Sequence, residues 1–284
     1  MHDIFCFTDV HGCRPLFDAI MSYCNKQDPD ATIIFLGDAC DRGEDGYAIM
    51  KELLNNNHVI YLMGNHEDMF AKAAREIKHF FSFKDANIER IHKVLKACKY
   101  FDYKYSKIQD SLDNGGLSTL TDWILDDMPM DIVERIENLP RTISYENMDF
   151  CHAAGVYETF VKGADAEHNG IEMDEYTAED LIWSRSGLHI GWAANRIAIF
   201  GHTPIPYFME EVEGYLESNL IKQDIVPIKY YGKPLNENYT GAKINMDTGM
   251  IFTGRGFVLN ILTMKAQGFE LENEIVKEIE CIQL

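Results

Sequence analysis

The first third of the chain alternates short apolar runs with amphipathic segments, and a polar loop follows each run. The apolar runs cover residues 4–7, 32–36 and 59–63. Residues 14–25 and 44–55 carry apolar side chains at helical spacing between these runs. Such an alternation of strands and helices is typical of an α/β sheet whose neighbouring strands run parallel. The rest of the chain must therefore fold around this sheet.

The pattern changes after the third run. Residues 69–140 are predicted to be mostly helical, and no Gly/Ser-rich or Pro-rich linker separates them from their surroundings. We therefore predict one domain over residues 1–284, with 69–140 as a helical insertion or cap within it. The polar stretch 163–180 is predicted to be a surface loop, whose last residues begin a short helix that reaches Trp183. Further strands are predicted at residues 148–151, 197–200, 243–246 and 257–263.

Composition excludes several classes of protein. The formal net charge of -20 argues against nucleic-acid binding, because contact with the phosphate backbone requires clustered Lys and Arg. No apolar run approaches the roughly 20 residues of a membrane span. The cysteines form no CxxC pair, and the chain shows no secretory-type segment. We therefore expect reduced thiols and a cytoplasmic location.

The polar loops contain the side chains with the most chemistry. Residues 8–12 follow the first apolar run, 37–43 follow the second and 64–67 follow the third, while His152 and His202 follow two later runs. Because parallel strands place their carboxyl ends along one edge of a sheet, we expect these loops to converge in space.

Pooled at one edge, the loops offer carboxylate, imidazole and amide groups, which suit Mn, Fe or Zn. A carboxylate between two metal ions can bridge both. Asp38 follows the middle strand and is the predicted bridge. The candidate ligands are Asp9, His11, Asp38, Asn65, His152 and His202.

Each candidate taken singly also has an ordinary structural explanation. Asp38 and Asp41 could cap a turn or a helix, and Asn65 could be a turn residue. His152 and His202 could be histidines of the core. The recurrence of such residues after successive apolar runs favours one shared site over separate coincidences.

The motifs together resemble those of calcineurin-like metallophosphoesterases, and GD-x-x-DRG with GNHE is similar to the phosphoprotein phosphatase branch. Among its members, the chain looks closest to lambda-type serine/threonine phosphatases and symmetrical diadenosine tetraphosphatases. The resemblance implies an α/β fold in which two mixed β-sheets pack as a sandwich flanked by helices. The motifs are TDVHG (8–12), GDACDRG (37–43), GNHE (64–67), CHAAG (151–155) and GHTP (201–204).

The resemblance implies two divalent metal ions, with manganese as the first expectation and iron or zinc as alternatives. The first ion would take Asp9, His11 and Asp38, and the second would take Asp38, Asn65, His152 and His202. The remaining roles belong to residues around the metals. His66 would protonate the leaving oxygen while Asp41 orients its imidazole. Arg42, Arg185 and Asn65 would bind the substrate phosphate.

The activity implied is hydrolysis of phosphomonoesters, with a serine/threonine phosphoprotein or a small phosphorylated molecule as the substrate. Two alternatives remain open, which are a dinucleoside polyphosphate hydrolase and a non-catalytic, metal-bound scaffold. A cysteine-phosphatase mechanism is not favoured, because no Cys-x5-Arg loop occurs at Cys13, Cys40 or Cys151.

Several residues in and beside the motifs are predicted to be structural. Glu67 should support its loop or the first turn of the next helix rather than bind metal. The segment 114–119 should also be structural. Thr8 stands where the family often has glycine, and its side chain is expected to point away from the site. Ala154 adds a residue after His152, which makes the geometry of that loop an open question.

Overall fold

The strands form two mixed sheets, as the resemblance implied. A computed structural model describes residues 2–101, 104–212 and 225–284. Its strands are β1 (Ile4–Phe7), β2 (Thr32–Phe35), β3 (Val59–Tyr61), β4 (Thr142–Tyr145), β5 (Met148–Cys151), β6 (Ile197–Phe200), β7 (Ile228–Tyr231), β8 (Ala242–Asn245), β9 (Arg255–Asn260), β10 (Lys265–Glu272) and β11 (Ile275–Gln283). The first sheet has the order β11-β10-β9-β1-β2-β3, and the second has the order β4-β5-β6-β8-β7.

The first sheet contains the predicted parallel strands. β2 lies between β1 and β3 and pairs in parallel with both, while β9 pairs antiparallel with β1. In the second sheet β5, β6 and β8 run parallel, and β4 and β7 are antiparallel edge strands. The carboxyl ends of β1, β2 and β3 therefore share one edge, and those of β5, β6 and β8 share another.

Apolar side chains fill the space between the two sheets. Ile34 of β2 and Leu62 just after β3 belong to the same buried cluster as Phe150, Ile199 and Ile244 of the second sheet. Neighbouring residues in a strand point to opposite faces, so Phe5 and Phe7 of β1 pack instead on the outer, helix-covered face. Burial on both faces explains why these strands are continuous apolar runs.

Helices cover the outer faces. α1 packs against β9 and β10, and α8 packs against β4. None of the helices in the described ranges is long and apolar enough to cross a membrane. The helices are α1 (Arg14–Gln27), α2 (Gly46–Asn55), α3 (Asn65–Phe80), α4 (Ile88–Cys98), α5 (Ser106–Asp113), α6 (Leu117–Leu125), α7 (Met130–Glu137), α8 (Tyr157–Asn169), α9 (Glu175–Trp183), α10 (Ile205–Val212) and α11 (Met250–Thr253).

The predicted insertion 69–140 is mostly helical where the structure describes it, and residues 102 and 103 lie outside the described ranges. α3 is its long element, and α5, α6 and α7 pack against it. The rings of Phe70 and Trp123 meet edge to face at 6.0 Å between centroids. Because α3 begins at Asn65, the insertion is continuous with the GNHE motif.

The predicted surface loop over 163–180 is wrong, because α8 and α9 occupy most of it. Gly163 lies within α8, where an added Cβ would come within 2.6 Å of Leu181 Cδ1. The glycine therefore permits close helix packing instead of marking a loop. α9 also begins earlier than the predicted cap, since the Asp174 carboxylate accepts the Thr177 N–H at 3.0 Å.

Candidate metal centre

The loops that follow β1, β2 and β6 reach the site through unusual backbone conformations. Asp9, His11, Asp38 and His202 have φ of 52°, 46°, 63° and 67°, in the left-handed region that few non-glycine residues adopt. Backbone hydrogen bonds hold two of these loops together, from Asp9 N to Gly37 O at 3.1 Å and from His11 N to Asp38 O at 3.0 Å. Strained residues of this kind cluster at functional sites, where the surrounding structure fixes them.

Asp38 is common to two groups of potential ligands. His11, Asp38 and His66 form one group, and Asp38, His152 and His202 form the other, with all donor atoms of each group within 4.8 Å of one another. One Asp38 oxygen lies 3.5 Å from His11 Nε2 and the other lies 3.4 Å from His152 Nε2. Asp38 therefore occupies the position that a bridging carboxylate requires.

The remaining predicted ligands adjoin these groups. Asp9 Oδ1 lies 3.9 Å from His11 Nε2. Asn65 Oδ1 lies 3.0 Å from His152 Nε2 and 2.9 Å from His202 Nδ1. The structure thus brings all six predicted ligands together, and it also brings His66 into the group around His11.

Several of these atoms fit a metal ion. His11 Nδ1 donates to Cys40 O at 2.9 Å, and His152 Nδ1 donates to Leu36 O at 2.8 Å. Such bonds fix the tautomer and leave Nε2 available to a metal. His202 Nε2 is buried and has no hydrogen-bond partner among the described residues, which is unfavourable unless a ligand satisfies it. The mixed carboxylate, imidazole and amide donors suit borderline divalent metals.

The buried charged groups of the site shift one another's pKa values. Desolvation raises the pKa of Asp9, and the charge of Asp38 adds to this increase. Desolvation acts on Asp38 too, but the surrounding imidazoles hold its pKa well below the usual range. Desolvation alone would lower the pKa of His152, yet Asp38 raises it to about 10. A divalent cation would supply the positive charge that the imidazoles supply to these carboxylates, and it would release the proton of His152, which must be neutral to bind metal.

His66 and Asp41 form a buried pair beside the predicted ligands. His66 Nδ1 lies 2.8 Å from Asp41 Oδ2, and both side chains are fully buried. Desolvation lowers the pKa of His66, but Asp38 and Asp41 outweigh it and raise the pKa above the usual value. The pair therefore orients the imidazole with Nδ1 towards Asp41 and Nε2 facing the site.

Arg42 lies at the exposed side of the same imidazoles. Its Nη1 is 2.7 Å from His11 Nε2, and its Nη2 is 3.0 Å from His66 Nε2. Its guanidinium carbon lies 5.5 Å from the ring centroid of Phe252. The planar fork thus points at the centre from the solvent side, as a phosphate-binding arginine must.

The insertion holds the Asp41–Arg42 turn in place. Asp41 and Arg42 both have left-handed backbone conformations, with φ of 67° and 66°. Asp41 N donates to Thr119 Oγ1 at 3.0 Å, and Arg42 N donates to Gly115 O at 3.1 Å. The segment 114–119 is therefore structural, as predicted, and it also lies directly beside two predicted site residues.

Glu67 contacts backbone groups of the neighbouring loops. Its carboxylate accepts N–H bonds from Asp38 at 2.7 Å, Ala39 at 2.8 Å and Gly64 at 3.0 Å. It also accepts the hydroxyl of Tyr61 at 2.7 Å. The carboxylate thus supports the loop that carries Asp38, in agreement with the role predicted for it.

The expectation for Thr8 is wrong. Its hydroxyl donates to Asp9 Oδ2 at 2.5 Å, so the side chain points at a predicted ligand instead of away from it. The extra residue after His152 is accommodated, because Ala153 N donates to Leu181 O at 2.9 Å and Ala154 is buried. His152 keeps its approach to Asp38.

Arg185 approaches the site from the second sheet. Its side chain is exposed and follows the end of α9. Its positive charge contributes to lowering the pKa of His202, after the larger effects of desolvation and His152. The ring of Trp183, two residues earlier, lies 6.0 Å from that of His202. The loop is thus close to the second ligand group, and Arg185 acts on it through space.

Asp247 is a site residue that sequence reasoning missed. It is buried after β8, where its carboxylate accepts Gly249 N–H at 2.8 Å. Desolvation and the charge of Asp9 hold its pKa well above the usual range. The available signal was an Asp-Thr-Gly sequence directly after the predicted strand 243–246, which places a carboxylate just past a strand, as in the other loops.

The motif cysteines do not offer a reactive thiolate. Cys13, Cys40 and Cys151 are buried. Desolvation raises the pKa of all three thiols, that of Cys151 to about 12. A nucleophilic cysteine requires the opposite shift, so these residues are packing residues.

Comparison with known proteins gives a family but no near relative. No curated protein matches the chain significantly. Similar solved structures include a candidate diadenosine tetraphosphatase, at 13% identity over 98% of this chain and 93% of that chain, with a TM-score of 0.45. A cold-active protein-tyrosine phosphatase from a Shewanella species matches at 12% identity over 99% and 81%, with a TM-score of 0.49.

A protein serine/threonine phosphatase from Saccharomyces cerevisiae matches at 14% identity over 100% of this chain and 80% of that chain, with a TM-score of 0.41. At these identities and TM-scores the resemblance gives no information about the substrate. The sequence model for the calcineurin-like phosphoesterases matches residues 2–231.

Proposed function

The chain belongs to the calcineurin-like phosphoesterase family, and we propose that it is a dinuclear metal-dependent phosphatase that hydrolyses phosphomonoesters of serine and threonine in proteins. The observation that carries this proposal is the position of Asp38 between two groups of potential ligands. One buried carboxylate with a different set of imidazoles near each oxygen is what a two-metal hydrolytic site needs.

The residues divide into two metal-binding sets. Asp9, His11 and Asp38 would hold one ion, while Asp38, Asn65, His152 and His202 would hold the other. When bound, two divalent cations lower the pKa of water for attack on phosphorus and neutralise the phosphoryl oxygens. Manganese is the first candidate because the donors are mainly oxygen and imidazole, and iron and zinc accept the same groups.

Arg42 and His66 would act on the substrate from one side. The Arg42 guanidinium offers two parallel N–H donors, a geometry that matches two phosphate oxygens. The Asp41 carboxylate accepts the Nδ1–H of His66, which leaves Nε2 as the atom that delivers a proton to the leaving oxygen. Arg185 would reach the phosphate from the opposite loop.

Phosphate release from a chromogenic phosphomonoester tests the proposal. We expect activity with Mn, and none after chelation until metal is restored. Elemental analysis of the same samples should give two metal ions per chain. Metal-loaded protein that stays inactive with Mn, Fe and Zn would refute the proposed reaction and favour a non-catalytic scaffold.

Parallel rates on a phosphoserine peptide and on diadenosine tetraphosphate test the substrate class. The proposal expects the peptide to be hydrolysed faster at equal concentration. A reversed preference would leave the metal centre intact but make the protein a dinucleoside polyphosphate hydrolase, since the same two metals can assist cleavage of a phosphoanhydride.

A further inference from the structure

Lys243 on β8 is a lysine with no exposed surface. Its Nζ donates to Gly187 O at 2.6 Å and approaches Gly155 O at 3.4 Å. The amine also lies 5.1 Å from the ring centroid of Trp192, a distance at which a cation is attracted to the ring face. A buried amine is costly unless hydrogen bonds compensate it, and these contacts supply the compensation.

The two carbonyl groups belong to loops that carry predicted site residues. Gly155 lies in the loop that begins at His152, and Gly187 lies in the loop that contains Arg185. The loops touch directly, because a Cβ added to Gly187 would lie 2.2 Å from both Ala154 O and Gly155 O. Carbonyl oxygens that face one another repel, and a donor between them removes that repulsion.

We propose that Lys243 is a positioning residue, which holds the Arg185 loop against the His152 loop and so fixes Arg185 for phosphate binding. This inference rests on the proposed function, because it assumes that Arg185 binds the substrate phosphate. Lys243 does not reach the substrate. Its removal should weaken phosphate binding through Arg185 and leave the metal ligands in place.

A double-mutant cycle with Arg185 tests the inference. Lys243→Met removes the amine and keeps an apolar side chain of similar length. In Mn-loaded protein we expect KM for a phosphomonoester and Kd for inorganic phosphate to rise about tenfold, as in Arg185→Ala, because Lys243→Met releases the loop that positions Arg185 and so costs the same phosphate contact. In the Arg185→Ala background, Lys243→Met should add less than about twofold. If the two substitutions act independently, so that their fold-changes in Kd multiply in the double mutant, the inference is overturned.

Two further variants separate positioning from general destabilisation. Ile244→Ala removes a buried side chain from the same strand but on the opposite face, between the sheets, and it should leave Kd for phosphate unchanged. Gly187→Ala should push the loops apart while Lys243 is intact, and it should raise Kd as Lys243→Met does. If Lys243→Met does not fold, the double-mutant cycle is made with Gly187→Ala and Arg185→Ala. Additive changes in the free energy of phosphate binding in that cycle would overturn the inference.

Calorimetric measurement of phosphate binding distinguishes failure of this inference from failure of the proposed function. Protein that binds phosphate with Mn but hydrolyses nothing refutes the reaction, and the cycle in Kd still tests Lys243. Normal turnover with an additive cycle refutes only the role of Lys243. A metal-loaded wild type that binds no phosphate overturns both.

Discussion

The loops of the two sheets are held near the metal centre by buried groups of opposite polarity. On the first sheet, the Glu67 carboxylate accepts three backbone N–H bonds at 2.7, 2.8 and 3.0 Å. On the second sheet, the Lys243 amine approaches two backbone carbonyls, one at 2.6 Å and one at 3.4 Å. The first set of loops directs N–H groups inward, and the second set directs carbonyl oxygens inward.

The difference indicates that the loops of the first sheet (the first side) and the loops of the second sheet (the second side) have different functions. Glu67 binds the backbone of Asp38 itself, so the first side fixes the position of the shared ligand. Lys243 acts one step further out, on the loop of the exposed Arg185. We therefore expect substitutions on the first side to change metal affinity and kcat. Substitutions on the second side should mainly change phosphate affinity.

Asp38 belongs to both sides, and its substitution should have the largest effect. Asp38→Asn replaces the proposed bridging carboxylate with a neutral amide that would attract two cations far less strongly. We expect kcat with saturating Mn to fall about a thousandfold or more, and elemental analysis should show less than two metal ions per chain. Full metal content with activity within about tenfold of wild type would show that the two ligand groups work independently.

His66 tests whether the first side carries the proton transfer. His66→Asn removes the imidazole that Asp41 orients and should lower kcat about 10²–10⁴-fold on substrates with poor leaving groups. Chromogenic esters with activated leaving groups should lose much less, because they need little protonation. Metal content should stay near wild type. Equal losses on both substrates would contradict the assignment of His66 as the acid.

Glu67→Gln should weaken the first side without removing a predicted ligand. The glutamine side chain keeps one acceptor oxygen, while its NH₂ group would face N–H donors that it cannot bind. We expect Mn affinity to fall about 10–100-fold, with kcat largely restored at saturating Mn. Lys243→Met is the matched comparison and should leave Mn affinity unchanged. Loss of Mn affinity in both variants would mean that the sides are not functionally distinct.

The ligand positions could be predicted because they follow a local rule. A parallel strand ends, a polar loop begins, and the sheet brings such loops together. Asp9, Asp38 and Asn65 all follow that rule, and so does Asp247, which comes two residues after the end of β8. The parallel pairing of β1, β2 and β3 followed from the same alternation, whereas β10 and β11 were not predicted.

The supporting contacts could not be predicted because they join residues that are distant in the chain. Lys243 lies 88 positions from Gly155 and 56 from Gly187, and no local pattern marks a lysine as buried. Thr8 was misjudged for a related reason, since only the folded backbone shows that its hydroxyl reaches Asp9. Likewise, the polar and acidic composition of residues 163–180 suggested a loop, because the packing of Gly163 against Leu181 of another helix is visible only in the folded chain.

The smallest expected effect is a dependence of stability on pH from Lys243. Desolvation lowers the pKa of its amine from 10.5 to about 7, although Asp180 and Cys151 face it and oppose this shift. Between about pH 7 and 10 the unfolded chain therefore binds a proton that the folded protein does not, and the free energy of unfolding rises with pH. The unfavourable burial of the charge is greatest below about pH 7 and is relieved above it.

Lys243→Met has no amine to titrate. The Tm of wild type minus that of the variant should therefore increase by about a few degrees from pH 7 to pH 9. Other groups titrate in the same range, but they do so in both proteins and cancel in the difference. The difference between wild type and Ile244→Ala should stay constant with pH and is the control. A constant difference for Lys243→Met would show that the amine stays charged when folded. The Lys243 amine on the second side would then remain a buried cation, opposite in charge to the Glu67 carboxylate. It would not be the neutral amine expected here, which loses its proton and keeps its hydrogen bonds.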